Sequence, residues 1–166
     1  MSRADRRVRG PIHARRCTLR SPPMQDTWTT VRYLDGYIRD VAGNTGRVEI
    51  TIWPDCRARV AYRIRPTSTL LVFERSLAGW VLPELYAHLR DAGFPALSKH
   101  KPGVGERVGL LSIATGEHTL QAWVLRVHRQ IPAIARAMQL LEAVASALSG
   151  GSLIDYEAGD RPVLAP

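Results

Sequence analysis

The stretch Asp26–Ala42, DTWTTVRYLDGYIRDVA, decides how this chain begins its fold. Trp28, Val31, Leu34, Ile38 and Val41 recur at spacings of three and four, with Arg32, Asp35, Gly36, Arg39 and Asp40 on the opposite side. That is the period of an amphipathic helix. Asp26 or Thr27 would cap its start and Gly43 would close its end. A competing signal is Asp35-Gly36 between VRYL and YIRDV, a two-residue hairpin turn, in a stretch whose threonines and aromatics favour strands. The periodicity spans four turns and the turn signal two residues, so the spacing predicts a helix over 26–42.

Beyond it, Arg47–Trp53 (RVEITIW) and Arg57–Arg65 (RARVAYRIR) alternate with period two around Pro54-Asp55-Cys56. Val48, Ile50 and Ile52 share one face of the first strand, and Ala58, Val60, Tyr62 and Ile64 one face of the second. Thr69–Glu74 (TLLVFE) completes a three-stranded meander. Residues 83–92 read as a helix with proline in its first turn, a Leu85, Leu89, Ala92 stripe and Gly93 at its end. A polar loop through SKHKPGVG leads to a second hairpin, Glu106–Ala114 and Glu117–Leu125, across Thr115-Gly116. From Pro132 to about Ser149, Ile131, Ile134, Met138, Leu141, Ala145 and Leu148 step by 3, 4, 3, 4 and 3, which predicts a final helix closed by Gly150-Gly151. The expected architecture is one α+β domain of order α-β-β-β-α-β-β-α, with an antiparallel sheet of about five strands packed by helices.

The 166 residues carry a formal net charge of +8, unevenly spread. Residues 1–23 hold seven arginines and one acid, a net of +6; residues 24–149 are near +4, and residues 150–166 near −2. We therefore expect a disordered basic tail over 1–23, the α+β domain over 24–149 and a flexible C-terminal tail over 150–166. Met24 follows the breaker cluster Ser21-Pro22-Pro23, so the first segment also reads as sequence upstream of the working start. With 21 arginines against two lysines, arginine is the default cation of the whole chain. Two cysteines without a CxxC spacing, and no apolar run of membrane-spanning length, point to a reducing cytoplasmic location and to no membrane.

Candidate chemistry is confined to a few places. On RARVAYRIR, period two sets Arg57, Arg59, Arg63 and Arg65 opposite the apolar face, with Arg47, Glu49, Thr51 and Trp53 beside them on the neighbouring strand. Arginines next to a tryptophan suit a phosphate backbone and a stacked base; the competing reading is a solvated sheet face with Glu49 neutralising its neighbours. The loop holding Lys99, Lys101 and Arg107 joins basic residues to two glycines, but leads into a strand and matches no nucleotide-binding fingerprint. Arg126, His128 and Arg129 precede the last helix; they could hold an anionic ligand, but bridging to acidic surface residues is their expected work. His88, His100, His118 and His128 show no metal-ligand spacing, and no nucleophile or paired-carboxylate pattern appears. Neither catalysis, a metal nor a cofactor is expected.

The meander RVEITIWPDCRARVAYRIRP–TLLVFE, the helix LPELYAHLRDAG and the hairpin-plus-helix GERVGLLSIATGEHTLQAWVL–PAIARAMQLLEAVASAL resemble, in arrangement, the type III secretion chaperone-like fold shared with the YbjN-like proteins of bacteria. The resemblance implies a small, usually homodimeric, non-catalytic protein that binds partner polypeptides. Two functions are expected. One is a protein-binding, chaperone-like or adaptor module that meets a partner or a second copy through Ile134, Met138, Leu141 and Leu148 of the last helix. The other is a nucleic-acid or polyanion binder using the basic tail, the arginine-rich strand face and the Lys99–Arg107 loop.

Overall fold

The computed structural model describes residues 28–65, 67–99 and 108–154. The expectations for residues 1–23, for Lys101 and Arg107, and for most of 150–166 fall outside them. Strand β1 spans Trp28–Asp40, followed by β2 (Thr45–Ile52), β3 (Arg57–Ile64) and β4 (Leu70–Ser76). Helix α1 (Val81–Asp91) and a 3₁₀ turn (Ala96–Lys99) lead to β5 (Val108–Thr115) and β6 (His118–Leu125). A second 3₁₀ turn (Arg126–Gln130), helix α2 (Pro132–Leu148) and a two-residue β7 (Leu153–Ile154) complete the order.

The α+β class holds, but the opening helix does not. Residues 28–40 form one long strand, so the order begins with four strands and the sheet is larger than the five expected. The element order behind the chaperone-like resemblance opened with a helix; the described residues open with a strand. The reason is two irregularities. The β1–β5 register shifts between Trp28 and Val31, and the β1–β2 register shifts between Asp35 and Ile38. Each bulge inserts one residue and reverses the parity of the residues after it. Trp28, Val31, Tyr33, Asp35, Ile38 and Asp40 are consequently all buried, at intervals of three, two, two, three and two. Two interrupted period-two runs thus imitate helical spacing. Val41, last of the supposed stripe, is 66% exposed. Asp35-Gly36 marks a bulge, not a hairpin turn.

The sheet order is β4-β3-β2-β1-β5-β6, all antiparallel, with β7 pairing the far end of β1. The strand that the spacing misread is thus central, hydrogen-bonded to β2 and β5. Both helices cover one face: Leu85 and Leu89 of α1 and Ile134, Met138 and Leu141 of α2 lie in one buried cluster with Val31, Ile50, Val60 and Ile113. Trp28 stands edge-on to Tyr86 and Phe94 at 5.5 and 5.8 Å between ring centres, which ties β1 to α1. The Tyr86 hydroxyl donates to the Thr29 carbonyl, and burial pushes its ionisation up to about 12.

Two tyrosines share a further device on the helix side. Tyr62 leans over Gly46 of β2, and Tyr33 over Gly109 of β5, in each case the glycine diagonal to it on the next strand. With no Cβ in the way, each ring lies flat on neighbouring backbone. The Tyr62 hydroxyl then donates to the Asn44 carbonyl at 3.0 Å.

Asp40 closes the β1–β2 turn. Its carboxylate accepts from the Asn44 backbone N–H at 2.8 Å and from the Asn44 side-chain amide at 2.9 Å. Burial acts to raise this carboxyl, but the Asn44 bonds and the Ala42 and Gly43 N–H groups outweigh it and hold it below the usual carboxylate value. A carboxyl lowered by folding adds stability above its unfolded value near 4, and that stability is lost as pH falls through the folded value. Asp40→Ala should therefore cost about 1–2 kcal/mol at pH 7. In urea titrations the gap to the parent should close below about pH 4; a gap independent of pH would refute the account.

Candidate anion-binding face

The face of the sheet opposite the helices carries the odd-numbered residues of β2 and β3. Strict alternation puts Arg59, Ala61 and Arg63 of β3 beside Thr51, Glu49 and Arg47 of β2, as expected for these two strands, and Arg57 faces Trp53 just past the end of β2. All of these but Arg57, together with Leu70 of β4, line an open groove of about 360 Å³.

The register decides which charges are satisfied. Glu49 turns away from β3 toward β1, where its carboxylate accepts from Arg32 Nε at 2.6 Å. Arg57 is also committed: it bonds Asp55 at 2.7 Å and lies over the Trp53 ring at 5.3 Å. That guanidinium holds the Asp55 carboxyl below the usual carboxylate range. Arg47, Arg59 and Arg63 have no carboxylate within salt-bridge distance among the described residues. This holds even for Arg59, whose register partner on β4 is Glu74. Arg63 donates one N–H to the Ser68 carbonyl at 3.4 Å, which leaves its charge uncompensated. Arg47 and Arg63 are direct cross-strand partners. Two like charges in that position repel each other and weaken the pair. A carboxylate there would relieve the repulsion; instead the groove presents three guanidinium groups to whatever enters it.

The remaining sequence-derived candidates do not join this groove. Arg65 lies just past β3, donates its backbone N–H to the Thr45 carbonyl and does not line the groove. Lys99 ends the 3₁₀ turn that packs toward β6, at the other end of the sheet order from β3. Ile134, Met138, Leu141 and Leu148 are buried against the domain's own sheet and α1, none more than 3% exposed. Burial of such side chains is worth roughly 2–3 kcal/mol each, so these four cannot serve as the surface that meets a partner. The regular stripe is core.

Reading residues 26–42 as a helix also hid a buried polar network, because it placed Asp35 on the solvent side. Asp35 accepts from the Tyr33 hydroxyl at 3.1 Å, and Arg129 Nη2 stands 3.7 Å from its Oδ2. Arg129 Nη1 donates to Glu142 of α2 at 2.9 Å. Burial, and next the Asp35 charge, push the Tyr33 phenol far above its ordinary value, so it remains a proton donor. His128 beside it is buried, its Nδ1 accepting from the Leu125 N–H at 3.2 Å. Arg129 of this basic cluster does bridge to acids, but not at the surface as expected: it joins β1 to α2 inside the protein.

A second cavity of about 410 Å³ lies between the helices, lined by Trp80, Glu84, His88, Arg136, Gln139 and Leu140. His88 already faces Glu84 at 3.4 Å, and the mixed lining converges on no one chemistry. Among the described residues no group of three or more His, Cys, Asp or Glu side chains is placed to hold a metal ion, and no helix is long and apolar enough to cross a membrane. No family model matches the chain, and no curated protein matches it.

Proposed function

We propose that the helix-free face of the sheet binds an extended anionic polymer, with single-stranded nucleic acid the class that fits its chemistry best. The carrying observation is the opposition of Arg47 and Arg63, with Arg59 nearby and, among the described residues, no acid within salt-bridge distance of any of them. An arriving phosphate relieves that repulsion and receives paired N–H donors. Trp53 and Leu70 supply the apolar border on which bases rest beside a tracked backbone. The alternative reading, a module that binds a partner polypeptide, needs a surface other than the four buried residues of α2.

The test is fluorescence anisotropy of the full chain with a labelled poly-pyrimidine oligonucleotide across a salt series. Arg59→Ala/Arg63→Ala should weaken binding at least tenfold and flatten the slope of log K against log salt by about 1.4, that is, about 0.7 for each phosphate no longer engaged. Both proteins keep the basic residues 1–23, so the difference isolates the sheet face. Equal affinity and equal slope would overturn the proposal.

A further inference from the structure

The second unassigned surface is the β4 edge. Among the described residues nothing pairs with β4 on its outer side. Its hydrogen bonding to β3 is set by the flanking bonds Ile64 N–H to Thr69 O and Leu77 N–H to Cys56 O, both 2.8 Å. In the alternating ladder of an antiparallel pair this assigns the odd residues 69–77 to β3. The N–H and C=O groups of Leu70, Val72, Glu74 and Ser76 therefore point outward. Leu70, Leu71 and Val72 are exposed by 46, 38 and 45%, and no charge, proline or bulge protects that half of the strand. Natural edges are normally blunted by such devices.

We infer that this edge pairs with the same edge of a second copy, antiparallel about a two-fold axis through Val72. The strand's own pattern selects the register. Placing Val72 opposite Val72 of the second copy sets Leu70 opposite Glu74 and Leu71 opposite Phe73. Each outward residue then meets another outward residue, and each such pair exchanges two hydrogen bonds. Charge agrees with the same register. Glu74, with no cation within salt-bridge distance among the described residues, comes to lie one strand beyond the second copy's Leu70, which is itself the register partner of Arg63. Glu74 of one copy and Arg63 of the other then stand in one row, roughly 10 Å apart at the backbone, with long side chains able to meet over Leu70. Shifting the two-fold axis to Leu71 pairs the leucines but leaves Glu74 beyond the partner strand. A partner copy thus covers the apolar triplet, completes the edge and supplies the missing opposite charge. The two-fold axis is normal to the sheet, so both arginine grooves open on the same side, about 20 Å apart.

Pairing through β4 does not depend on anion binding by the sheet face, and its test reads mass and amide exchange, not ligand affinity. Sedimentation of the full chain from about 1 to about 200 μM should show mass rising from 18.4 kDa toward twice that value. Hydrogen exchange should show peptides covering 70–76 gaining protection with concentration. Val72→Lys sets two ammonium groups against each other at the axis and should weaken association at least tenfold, with the melting temperature almost unchanged because the side chain is half exposed. A constant 18.4 kDa across the same range would overturn the inference. So would a dimer indifferent to Val72→Lys, or concentration-dependent protection confined to other segments. Should Val72→Lys misfold, the exchange pattern of the parent decides.

Discussion

Gly46→Ala should destabilise the domain by about 3 kcal/mol, lowering the melting temperature by roughly 6–12 °C. A Cβ built on Gly46 falls 2.4 Å from Tyr62 Cε2 and 2.5 Å from the Arg63 carbonyl oxygen. The ring cannot swing aside, since it is fully buried and its hydroxyl is bonded to the Asn44 carbonyl. The carbonyl belongs to the β2–β3 ladder and can move only with β3 itself. Gly109→Ala meets Tyr33 in the same way, at 2.5 Å from Cε2 and 2.6 Å from the hydroxyl oxygen. Gly79→Ala is the control: nothing lies within 4 Å of its Cβ, and it should shift stability by less than about 0.5 kcal/mol. Thermal and urea unfolding of the three variants check this. A Gly46→Ala protein as stable as Gly79→Ala would show that the tyrosine does not rest on that backbone.

Arg129→Met should cost a comparable amount, about 3 kcal/mol at neutral pH. Its guanidinium stands between Asp35 of β1, only 2% exposed, and Glu142 of α2. Removing it takes from two carboxylates in a poorly solvated space the cation they share, and losing one partner of a buried ion pair costs far more than the intact pair contributes. The loss should be shared with Glu142: Arg129→Met/Glu142→Gln should be more stable than the sum of the two single changes, by about 0.5 kcal/mol or more. Strict additivity in urea denaturation would mean that Arg129 and Glu142 act independently.

Both effects reside in contacts that no pattern along the chain displays, and this separates the readable part of the fold from the rest. The meander, the second hairpin and both helices were legible because their period is local: Val48, Ile50 and Ile52, or Ile134, Met138 and Leu141, record which way successive side chains point. The arginine face of β3 was legible for the same reason. Its partners were only half legible. Arg47 shares a sheet face with Arg63 by alternation, but that they stand directly opposite, with Glu49 drawn off to Arg32, depends on register between strands. The apolar stripe of α2 was visible in full, yet a stripe does not say what covers it; the sheet does. Residues 28–40 were not legible because two bulges turn a period of two into spacings of three and two that a helix also produces.

The amino-acid sequence by itself determined the α+β class, the limits of most elements to within about two residues, and the alternation that puts arginine on one side of β3. Only the tertiary structure decided that the opening segment is the central strand, that Asp35 and Arg129 meet in the interior, and that the β4 edge stands open. Side-chain direction is set by the backbone of each residue and its neighbours. Register, bulges and edges are set by pairings between residues far apart in the chain, and those pairings exist only once the sheet has formed.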